Sequence, residues 1–233
     1  MKIIGIIPAR YNSKRLPGKP LIKIHGKYLV ELTYTNLIKM GIFDAIYIAT
    51  DSKKINNVLN NIGISSIMTS QDLINGTERC GELIQKLKDK INNEDIIINI
   101  QCDEPFVKKS HIEKIVSLFK KPVDIGTLVT IIKEKDLNNE SVVKVNLDSD
   151  NQAIMFSRFA KNLDETKLIY KHIGIYAYRK NTLKYLSNLA PTSNELEQKL
   201  EQLRWINTDY KIKCGIIKED ILSINTNEDL KKI

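Results

Sequence analysis

The chain of 233 residues contains 36 Lys and Arg against 28 Asp and Glu, which gives a net charge of +8. Its length fits one large α/β domain, and 42% hydrophobic with 27% charged residues is typical of a globular protein. No apolar run approaches the roughly 18–20 residues of a membrane span. No cleavage site follows the apolar N-terminus, and three widely spaced cysteines favour neither a disulfide framework nor a zinc site. We expect a cytoplasmic enzyme without membrane insertion.

The excess positive charge lies almost wholly in the first 30 residues. Residues 1–30 contain seven Lys and Arg and no Asp or Glu, whereas the other 203 residues carry a net charge of +1. A protein that coats nucleic acid would spread its basic residues along much of the chain. The concentration of charge therefore indicates a local anion site and no nucleic-acid partner.

Short apolar runs alternate with amphipathic segments over the first 122 residues. The predicted strands there are Ile3–Ile7, Ala45–Thr50, Ile64–Met68 and Asp95–Ile100, and the predicted helices are Leu29–Met40, Ser52–Asn61, Thr77–Lys90 and His111–Phe119. This alternation predicts an α/β fold with a mostly parallel, Rossmann-like sheet flanked by helices. Ligands of such sheets bind beyond the carboxyl ends of the strands.

Strands follow one another at shorter intervals after residue 122. The predicted strands are Ile125–Lys133, Val142–Leu147, Ala153–Phe156, Ile173–Arg179 and Lys211–Ile217, with helices at Glu195–Trp205 and Thr226–Lys232 and a loop at 160–171. This pattern predicts a smaller lobe of mixed strands. Because no linker separates it from the first half, we expect a single domain over residues 1–233.

A rigid basic loop follows the first predicted strand. Its backbone is constrained by Pro8, Pro17 and Pro20, while Gly18 allows a ligand to approach closely. Its charge-assisted donors are Arg10, Arg15 and Lys19. Donors at the end of a strand in an α/β sheet are suited to a triphosphate, whereas neither a P-loop nor a dinucleotide-binding pattern is present. The alternative is a solvated basic face.

An acidic turn follows the predicted strand that ends at Ile100. Asp103 and Glu104 precede Pro105, which forces the chain to turn. Mg²⁺ keeps several waters and binds through only one or two protein carboxylates, so Asp103 could anchor it on triphosphate oxygens. The alternative is an aspartate that caps the turn.

Six motifs in chain order resemble those of the 3-deoxy-manno-octulosonate cytidylyltransferase (CMP-Kdo synthetase) family. They are 8–21 (Pro-Ala-Arg-Tyr-Asn-Ser-Lys-Arg-Leu-Pro-Gly-Lys-Pro-Leu), 75–79 (Asn-Gly-Thr-Glu-Arg), 99–105 (Asn-Ile-Gln-Cys-Asp-Glu-Pro), 156–158 (Phe-Ser-Arg), 172–178 (His-Ile-Gly-Ile-Tyr-Ala-Tyr) and 200–204 (Leu-Glu-Gln-Leu-Arg). The resemblance implies a homodimeric nucleotidyltransferase that joins CTP to a 3-deoxy-octulosonate sugar acid for lipopolysaccharide or capsule synthesis. It also implies Mg²⁺ as cofactor.

The resemblance also assigns roles to individual residues. Catalysis would depend on Arg10, Lys19 and Asp103, and nucleotide binding on Pro8, Ala9, Arg10, Ser13, Arg15, Lys19, Thr69, Ser70, Gly76 and Thr77. The sugar acid would be bound by Gln101, Arg158, His172, Tyr176, Glu201 and Gln202, and the metal by Asp103 and Asn225. Residues 1–122 would form the nucleotide-binding half, and residues 123–233 the half for sugar binding and dimerisation.

Three departures from the family pattern leave alternatives open. Asn225 stands where the family has a second metal-binding Asp, Cys102 replaces a Gly, and residues 159–161 replace an Ile-Pro pair. The last departure suits a paralogue for a modified octulosonate or another nonulosonate sugar. Asn225 is the only support for a non-catalytic nucleotide-binding protein. A nucleotide-sugar glycosyltransferase would carry Asp-x-Asp, and this chain has Asp-Glu-Pro at 103–105.

Overall fold

The computed structural model describes residues 1–12, 16–231 and 233, which divide into two compact units. The first unit comprises residues 1–109, 179–187 and 221–233, and the second comprises residues 110–178 and 188–220. Ser13 and Arg15, which the sequence assigns to nucleotide binding, lie outside the described residues. The functional division near residue 122 stays a prediction.

The first unit is built on parallel strands with flanking helices. Its strands are β1 (Ile3–Ala9), β2 (Lys23–Ile24), β3 (Lys27–Tyr28), β4 (Ala45–Thr50), β5 (Ser66–Met68) and β6 (Ile96–Asn99). Its helices are α1 (Leu29–Met40), α2 (Lys53–Asn61), α3 (Gly76–Lys86), α6 (Lys180–Leu186) and α9 (Asn227–Leu230). Strands β6, β1, β4 and β5 lie side by side in that order and run parallel, whereas β2 and β3 form a separate antiparallel hairpin.

Burial on both faces explains the composition of the central strands. Ile4, Ile6 and Ile7 of β1 are at most 1% exposed, and the three isoleucines of β6 are fully buried. Continuous β-branched runs of this kind are typical of parallel strands covered by helices. Because the strands are parallel, their carboxyl ends all lie at one edge of the sheet.

The second unit contains the mixed strands that the sequence predicts. Its strands are β7 (Ile125–Ile131), β8 (Lys144–Leu147), β9 (Ala153–Ser157), β10 (Ile169–Arg179) and β11 (Ile212–Ile217). The last residue of β10, Arg179, belongs to the first unit. Its helices are α4 (Lys109–Leu118), α5 (Glu134–Leu137), α7 (Ser193–Gln198) and α8 (Gln202–Trp205). The first residue of α4, Lys109, belongs to the first unit. Strand β7 pairs in parallel with β11 and antiparallel with β10, and β8 pairs antiparallel with both β10 and β9.

The fold class expected from the sequence is confirmed, but several element boundaries are wrong. The helix predicted over Glu195–Trp205 is two short helices, because Lys199 adopts the left-handed region with φ 54° and ends α7. The loop predicted at 160–171 is shorter, since β10 already begins at Ile169. The sequence analysis misses the β2–β3 hairpin and helices α5 and α6. These elements are short and carry too few residues to show a periodicity.

The C-terminal segment is anchored in the first unit. Ile224 is fully buried in a cluster with Ile24 and Leu29, against which Leu230 and Ile233 also pack. The backbone N–H of Ile224 donates to the carbonyl of residue 103 at 2.9 Å. Residue 225 is thereby placed beside the acidic turn.

Candidate functional site

The start of the basic loop lies at the carboxyl edge of the first unit's sheet. Ala9 ends β1, is fully buried and is paired with Thr50, the last residue of β4. Arg10 follows and is exposed, with one guanidinium nitrogen 3.4 Å from the carbonyl oxygen of Ile74. Gly18 then turns the chain back with φ 66°, and its N–H donates to the carbonyl of Tyr11 at 3.1 Å. A left-handed φ of this kind favours glycine.

Three of the predicted site residues meet at the side chain of Lys19. Lys19 begins a 3₁₀ turn over Lys19–Leu21, and it is only 9% exposed. Its ammonium donates to Asp103 Oδ2 at 2.6 Å and to Asn225 Oδ1 at 3.3 Å. These partners lie 84 and 206 residues away along the chain. Lys19, which is predicted to bind the triphosphate, therefore contacts both predicted metal ligands, Asp103 and Asn225.

The acidic turn is held in place by hydrogen bonds to its backbone and to the Glu104 side chain. The hydroxyl of Thr33, on α1, donates to the carbonyl of Cys102 at 2.8 Å. Ser223 Oγ donates to Glu104 Oε1 at 2.5 Å, next to the backbone bond from Ile224. Burial raises the pKa of the Cys102 thiol to about 12, so this thiol remains protonated and is not a nucleophile at neutral pH.

A buried arginine that the sequence analysis assigns no role organises the loop after β5. Arg79, only 2% exposed, donates to Thr69 Oγ1 at 2.6 Å, to the carbonyl of Ser70 at 3.0 Å and to Asp51 Oδ2 at 3.0 Å. Burial lowers the pKa of Arg79, and the Asp51 carboxylate opposes that effect. Two predicted nucleotide-binding residues, Thr69 and Ser70, are thus fixed to the end of β4. The one available signal was the position of Arg79 within the motif at 75–79.

The start of α3 places a glycine directly against a predicted sugar-binding residue. Asn75 caps this helix by accepting from the N–H of Glu78 at 2.8 Å. A Cβ atom on Gly76 would lie 2.6 Å from Gln101 Nε2, which in turn donates to Asn99 Oδ1 at 2.9 Å. Only glycine therefore allows the Gln101 amide to lie against the helix start. The neighbouring Thr77, also predicted to bind nucleotide, is buried.

In the second unit, Arg158 is held by backbone carbonyl groups. Its guanidinium donates to the carbonyl oxygens of Gln198 at 2.6 Å, Glu140 at 3.0 Å and Lys199 at 3.4 Å. The side chain is half-buried at the end of β9. Arg158 thus joins the loops at 140 and 198–199 and keeps its positive charge in a fixed place.

An aromatic cluster surrounds the next two predicted sugar-binding residues, His172 and Tyr176. Their ring centroids are 5.2 Å apart, and Tyr176 packs edge-on against Trp205 at 5.0 Å. Phe156 packs edge-on against His172 at 5.2 Å. Burial lowers the pKa of His172 to about 3, and burial together with Glu201 raises the pKa of Tyr176 well above its usual value. Both rings are therefore uncharged near neutral pH.

A buried ion pair fixes the short helix that carries the last two predicted residues. Arg204 of α8 donates to both carboxylate oxygens of Glu195 at 2.6 Å, and both side chains are at most 6% exposed. Bidentate pairs of this kind combine strength with a defined geometry. The pair holds α8 against α7, so that Gln202 is buried and Glu201 lies near Tyr176. The sequence analysis does not identify the pair.

Among the described residues, no group of three or more His, Cys, Asp and Glu side chains is arranged to hold a metal ion. Within residues 1–12, 16–231 and 233, none of the helices has the length and apolar character needed to cross a bilayer.

The fold and sequence together define the class of protein. Residues 4–214 match the sequence model of the cytidylyltransferase family. A solved CMP:2-keto-3-deoxy-manno-octonic acid synthetase complexed with CTP superimposes with a TM-score of 0.89 at 30% identity, covering 100% of this chain and 96% of the other. The protein is therefore a nucleotidyltransferase.

Full-length relatives narrow this class. The 3-deoxy-manno-octulosonate cytidylyltransferase of Parabacteroides distasonis is 39% identical, with 100% of this chain and 96% of the relative covered. The 8-amino-3,8-dideoxy-manno-octulosonate cytidylyltransferase of Shewanella frigidimarina is 36% identical, with coverages of 100% and 97%. The chain belongs to the 3-deoxy-manno-octulosonate cytidylyltransferase family, as its motifs predict.

The low pKa of His172 predicts a pH dependence of stability. The unfolded imidazole binds a proton below about pH 6.5, whereas the folded one does so only near pH 3. The His172 contribution to the free energy of unfolding is therefore complete above about pH 6.5 and falls below it, by at most about 1.4 kcal/mol per pH unit. Urea titrations of wild type and His172→Gln at about pH 7 and pH 5 measure this loss, which the variant should lack.

The exposed His25 provides the matched control for this measurement. His25→Asn removes an imidazole from a surface turn with φ 47°, and asparagine tolerates that conformation. This variant should retain the loss of stability of the wild type. An equal loss in wild type and His172→Gln would show that His172 is not buried in the neutral form.

Proposed function

We propose that this protein is a cytidylyltransferase that converts CTP and a 3-deoxy-octulosonate sugar acid into the CMP-sugar and pyrophosphate. The product would serve lipopolysaccharide or capsule synthesis. The observation that carries the proposal is the Lys19 ammonium, held 2.6 Å from Asp103 at the carboxyl edge of a parallel sheet. The names of the full-length relatives, and the CTP complex of the solved relative, support the choice of nucleotide and sugar.

The proposed reaction is an in-line substitution at the α-phosphorus of CTP. The anomeric hydroxyl oxygen of the sugar acid gives up its proton to water and forms the new P–O bond, and the bond to the pyrophosphate oxygen breaks as pyrophosphate leaves. Reactions of this type depend mainly on positioning and charge neutralisation. Lys19 and Arg10 would hold the triphosphate and stabilise the leaving pyrophosphate, with Arg15 assisting.

The first unit supplies the remaining proposed nucleotide contacts. Backbone and side-chain groups at the end of β1 and in the loop before α3 would bind cytosine and ribose: Pro8, Ala9, Ser13, Thr69, Ser70, Gly76 and Thr77. The hydrogen bonds of Arg79 to Thr69 and Ser70 support this assignment, because they fix that loop before the nucleotide binds. A preformed loop reduces the entropy lost on binding.

The residues at Lys19 also fit a magnesium ion. Asp103 and Asn225 both direct an oxygen atom at one cation, the Lys19 ammonium, which shows that two hard donors converge there. Mg²⁺ binds through one or two protein oxygens together with phosphate and water oxygens. Asp103 and Asn225 would therefore hold it. When bound, Mg²⁺ would neutralise charge on the phosphate oxygens as a Lewis acid.

The second unit supplies most of the proposed contacts to the sugar acid. Arg158 has its positive charge held in a fixed place and would bind the carboxylate. The hydroxyl groups would be bound by polar side chains of β10 and of the start of α8, which are His172, Tyr176, Glu201 and Gln202. The buried Tyr176 hydroxyl supports this role, because it has no hydrogen-bond partner within the described residues.

An amino-substituted octulosonate is the second candidate substrate. The relative from Shewanella frigidimarina, 36% identical over the whole chain, is named for an 8-amino-3,8-dideoxy sugar acid. Pyrophosphate release measured with CTP and a panel of 3-deoxy-octulosonates, with and without the 8-amino group, tests both candidates. Release with none of these sugars would contradict the proposed function. A glycosyltransferase or a non-catalytic nucleotide-binding protein would release none.

Replacing Lys19 tests its role in turnover. Lys19→Ala should reduce pyrophosphate release at least about a hundredfold, as expected when a preorganised charge at the transferring phosphoryl group is removed. Circular dichroism should show that the variant remains folded. Lys27→Ala removes the same charge from an exposed position of β3 and is the matched control. Turnover of Lys19→Ala close to that of Lys27→Ala would contradict the assigned role.

Restoring a carboxylate at position 225 tests the metal site. Asn225→Asp should lower the Mg²⁺ concentration for half-maximal rate by about tenfold, which corresponds to roughly 1.4 kcal/mol of added attraction. The exposed Asn227→Asp adds the same charge two residues away and should leave the Mg²⁺ requirement unchanged. If both variants need the same Mg²⁺ concentration for half-maximal rate as the wild type, Asn225 does not lie at the metal.

We also propose a homodimer in the cytoplasm. The buried free thiols of Cys80, Cys102 and Cys214 suit a reducing compartment. Two large apolar side chains of the second unit are strongly exposed near the paired residues Tyr170 and Ile131 of β10 and β7, and exposed apolar side chains are typical of an interface. These side chains are Ile131 (74% exposed), at the end of β7, and Leu168 (76%), just before β10.

The exposed strand ends predict how the dimer could be disrupted. The double variant Ile131→Lys and Leu168→Lys should convert the dimer into a monomer, because each substitution buries an unpaired charge in the interface. Sedimentation equilibrium measures the mass. Leu196→Lys, on α7, changes a residue that is 60% exposed elsewhere in the same unit and should leave the dimer intact. A monomeric wild type would contradict the proposal.

A further inference from the structure

An irregularity in β10 brings two carbonyl groups to one threonine of β7. The pairing of β10 with β7 proceeds regularly up to Ile173 opposite Leu128 and resumes with Tyr176 opposite Thr127. Residues 174 and 175 of β10 therefore have no paired residue in β7, and they form a bulge. Thr127 is fully buried at this bulge, and its hydroxyl oxygen lies 2.9 Å from the carbonyl oxygen of Ile175 and 3.3 Å from that of Ile173.

The same hydroxyl oxygen also lies 3.0 Å from His172 Nε2. A threonine hydroxyl has a single hydrogen, and a carbonyl oxygen can only accept. An oxygen–oxygen distance of 2.9 Å requires a hydrogen between the two atoms, so the hydroxyl of Thr127 donates to Ile175. The contact with Nε2 then requires a hydrogen on the nitrogen. His172 must donate to Thr127.

This donation determines which nitrogen of His172 remains an acceptor. The ring is buried among Phe156 and Tyr176, and its pKa of about 3 shows that it is neutral. A neutral imidazole carries one N–H, so a hydrogen on Nε2 leaves Nδ1 with a lone pair. The hydrogen bond of the His172 ring within the described residues is the one through Nε2. The nearby Tyr176 hydroxyl is buried and has no hydrogen-bond partner there. One acceptor and one hydroxyl are thus left for a ligand.

We propose that Thr127 is a positioning residue that holds His172 in the Nε2–H tautomer and so presents Nδ1 as the acceptor for a hydroxyl of the sugar acid. The tautomer is a property of the free protein. The role of Nδ1 rests on the function proposed above. Neither the motifs nor the predicted site residues include Thr127.

Nuclear magnetic resonance of ¹⁵N-histidine-labelled full-length protein measures the tautomer directly. The chain has three histidines, and His25→Asn and His111→Gln assign the spectrum by loss of one ring each. We expect the nitrogen of His172 that correlates strongly with both ring protons, Nε2, to have the shift of a protonated nitrogen. Nδ1 should have the shift of an unprotonated nitrogen and should move towards lower values when 3-deoxy-manno-octulosonate is added, because it then accepts a hydrogen bond.

Two substitutions of Thr127 separate positioning from packing. Thr127→Val retains the shape but removes the hydroxyl, so the Nε2–H form should lose its preference and the KM for the sugar acid should rise about tenfold, equal to roughly 1.4 kcal/mol. The KM for CTP and kcat should remain close to wild type. Thr127→Ser keeps the hydroxyl and should retain both the wild-type tautomer and the wild-type KM.

Each outcome decides one part of the proposal. A wild-type spectrum with the hydrogen on Nδ1 would overturn it, and that measurement needs no variant and remains available if Thr127→Val fails to fold. A Thr127→Val protein with an altered tautomer but an unchanged sugar-acid KM would overturn the role of Nδ1, as would an Nδ1 shift that does not respond to the sugar acid. The proposed function is tested separately, by pyrophosphate release with the wild-type protein, and its failure would leave the tautomer measurement unaffected.

Discussion

The ion pair between Lys19 and Asp103 is the interaction around which the candidate site of the first unit is arranged. It joins the turn after the basic loop to the turn after β6, and Asn225 of the C-terminal segment completes it. Parallel strands make this possible, because their carboxyl ends lie at a common edge. The burial of Ile224 and its backbone bond to residue 103 bring the end of the chain to the same place. The Lys19 ammonium and its two oxygen partners are thereby assembled before any ligand arrives.

The second unit achieves order by a different means. Four of its buried polar side chains are neutral or paired: His172 and Tyr176 are kept neutral by burial, whereas Glu195 and Arg204 neutralise each other. The aromatic rings around Tyr176 give these groups a rigid setting. The proposed sugar acid, a polyhydroxylated ligand, would need directed hydrogen bonds, which a rigid wall with oriented donors and acceptors would provide. In the proposed function, the two units would therefore serve two different kinds of ligand chemistry.

Much of the fold was predictable because its signals are local. The isoleucine runs of β1 and β6 and the amphipathic pattern of α1 each lie within a dozen residues, and these three predicted elements were found. The break between α7 and α8 was not predictable. Lys199 has no intrinsic preference for a left-handed φ, and the Glu195–Arg204 pair that stabilises the break forms only after the chain has folded back. Arg79 likewise carries no local sign that it will be buried.

The amino-acid sequence by itself determined the alternation of strands and helices, the concentration of positive charge before residue 30 and the family motifs. Each is read from neighbouring residues, because hydrophobic periodicity and turn chemistry act over short distances. Only the tertiary structure decided that Asn225 shares a cation with Asp103, and that the Thr127 hydroxyl meets His172 at a bulge. Contacts between residues 45 to 206 positions apart have no local signal, since they depend on strand register and on where the chain end packs.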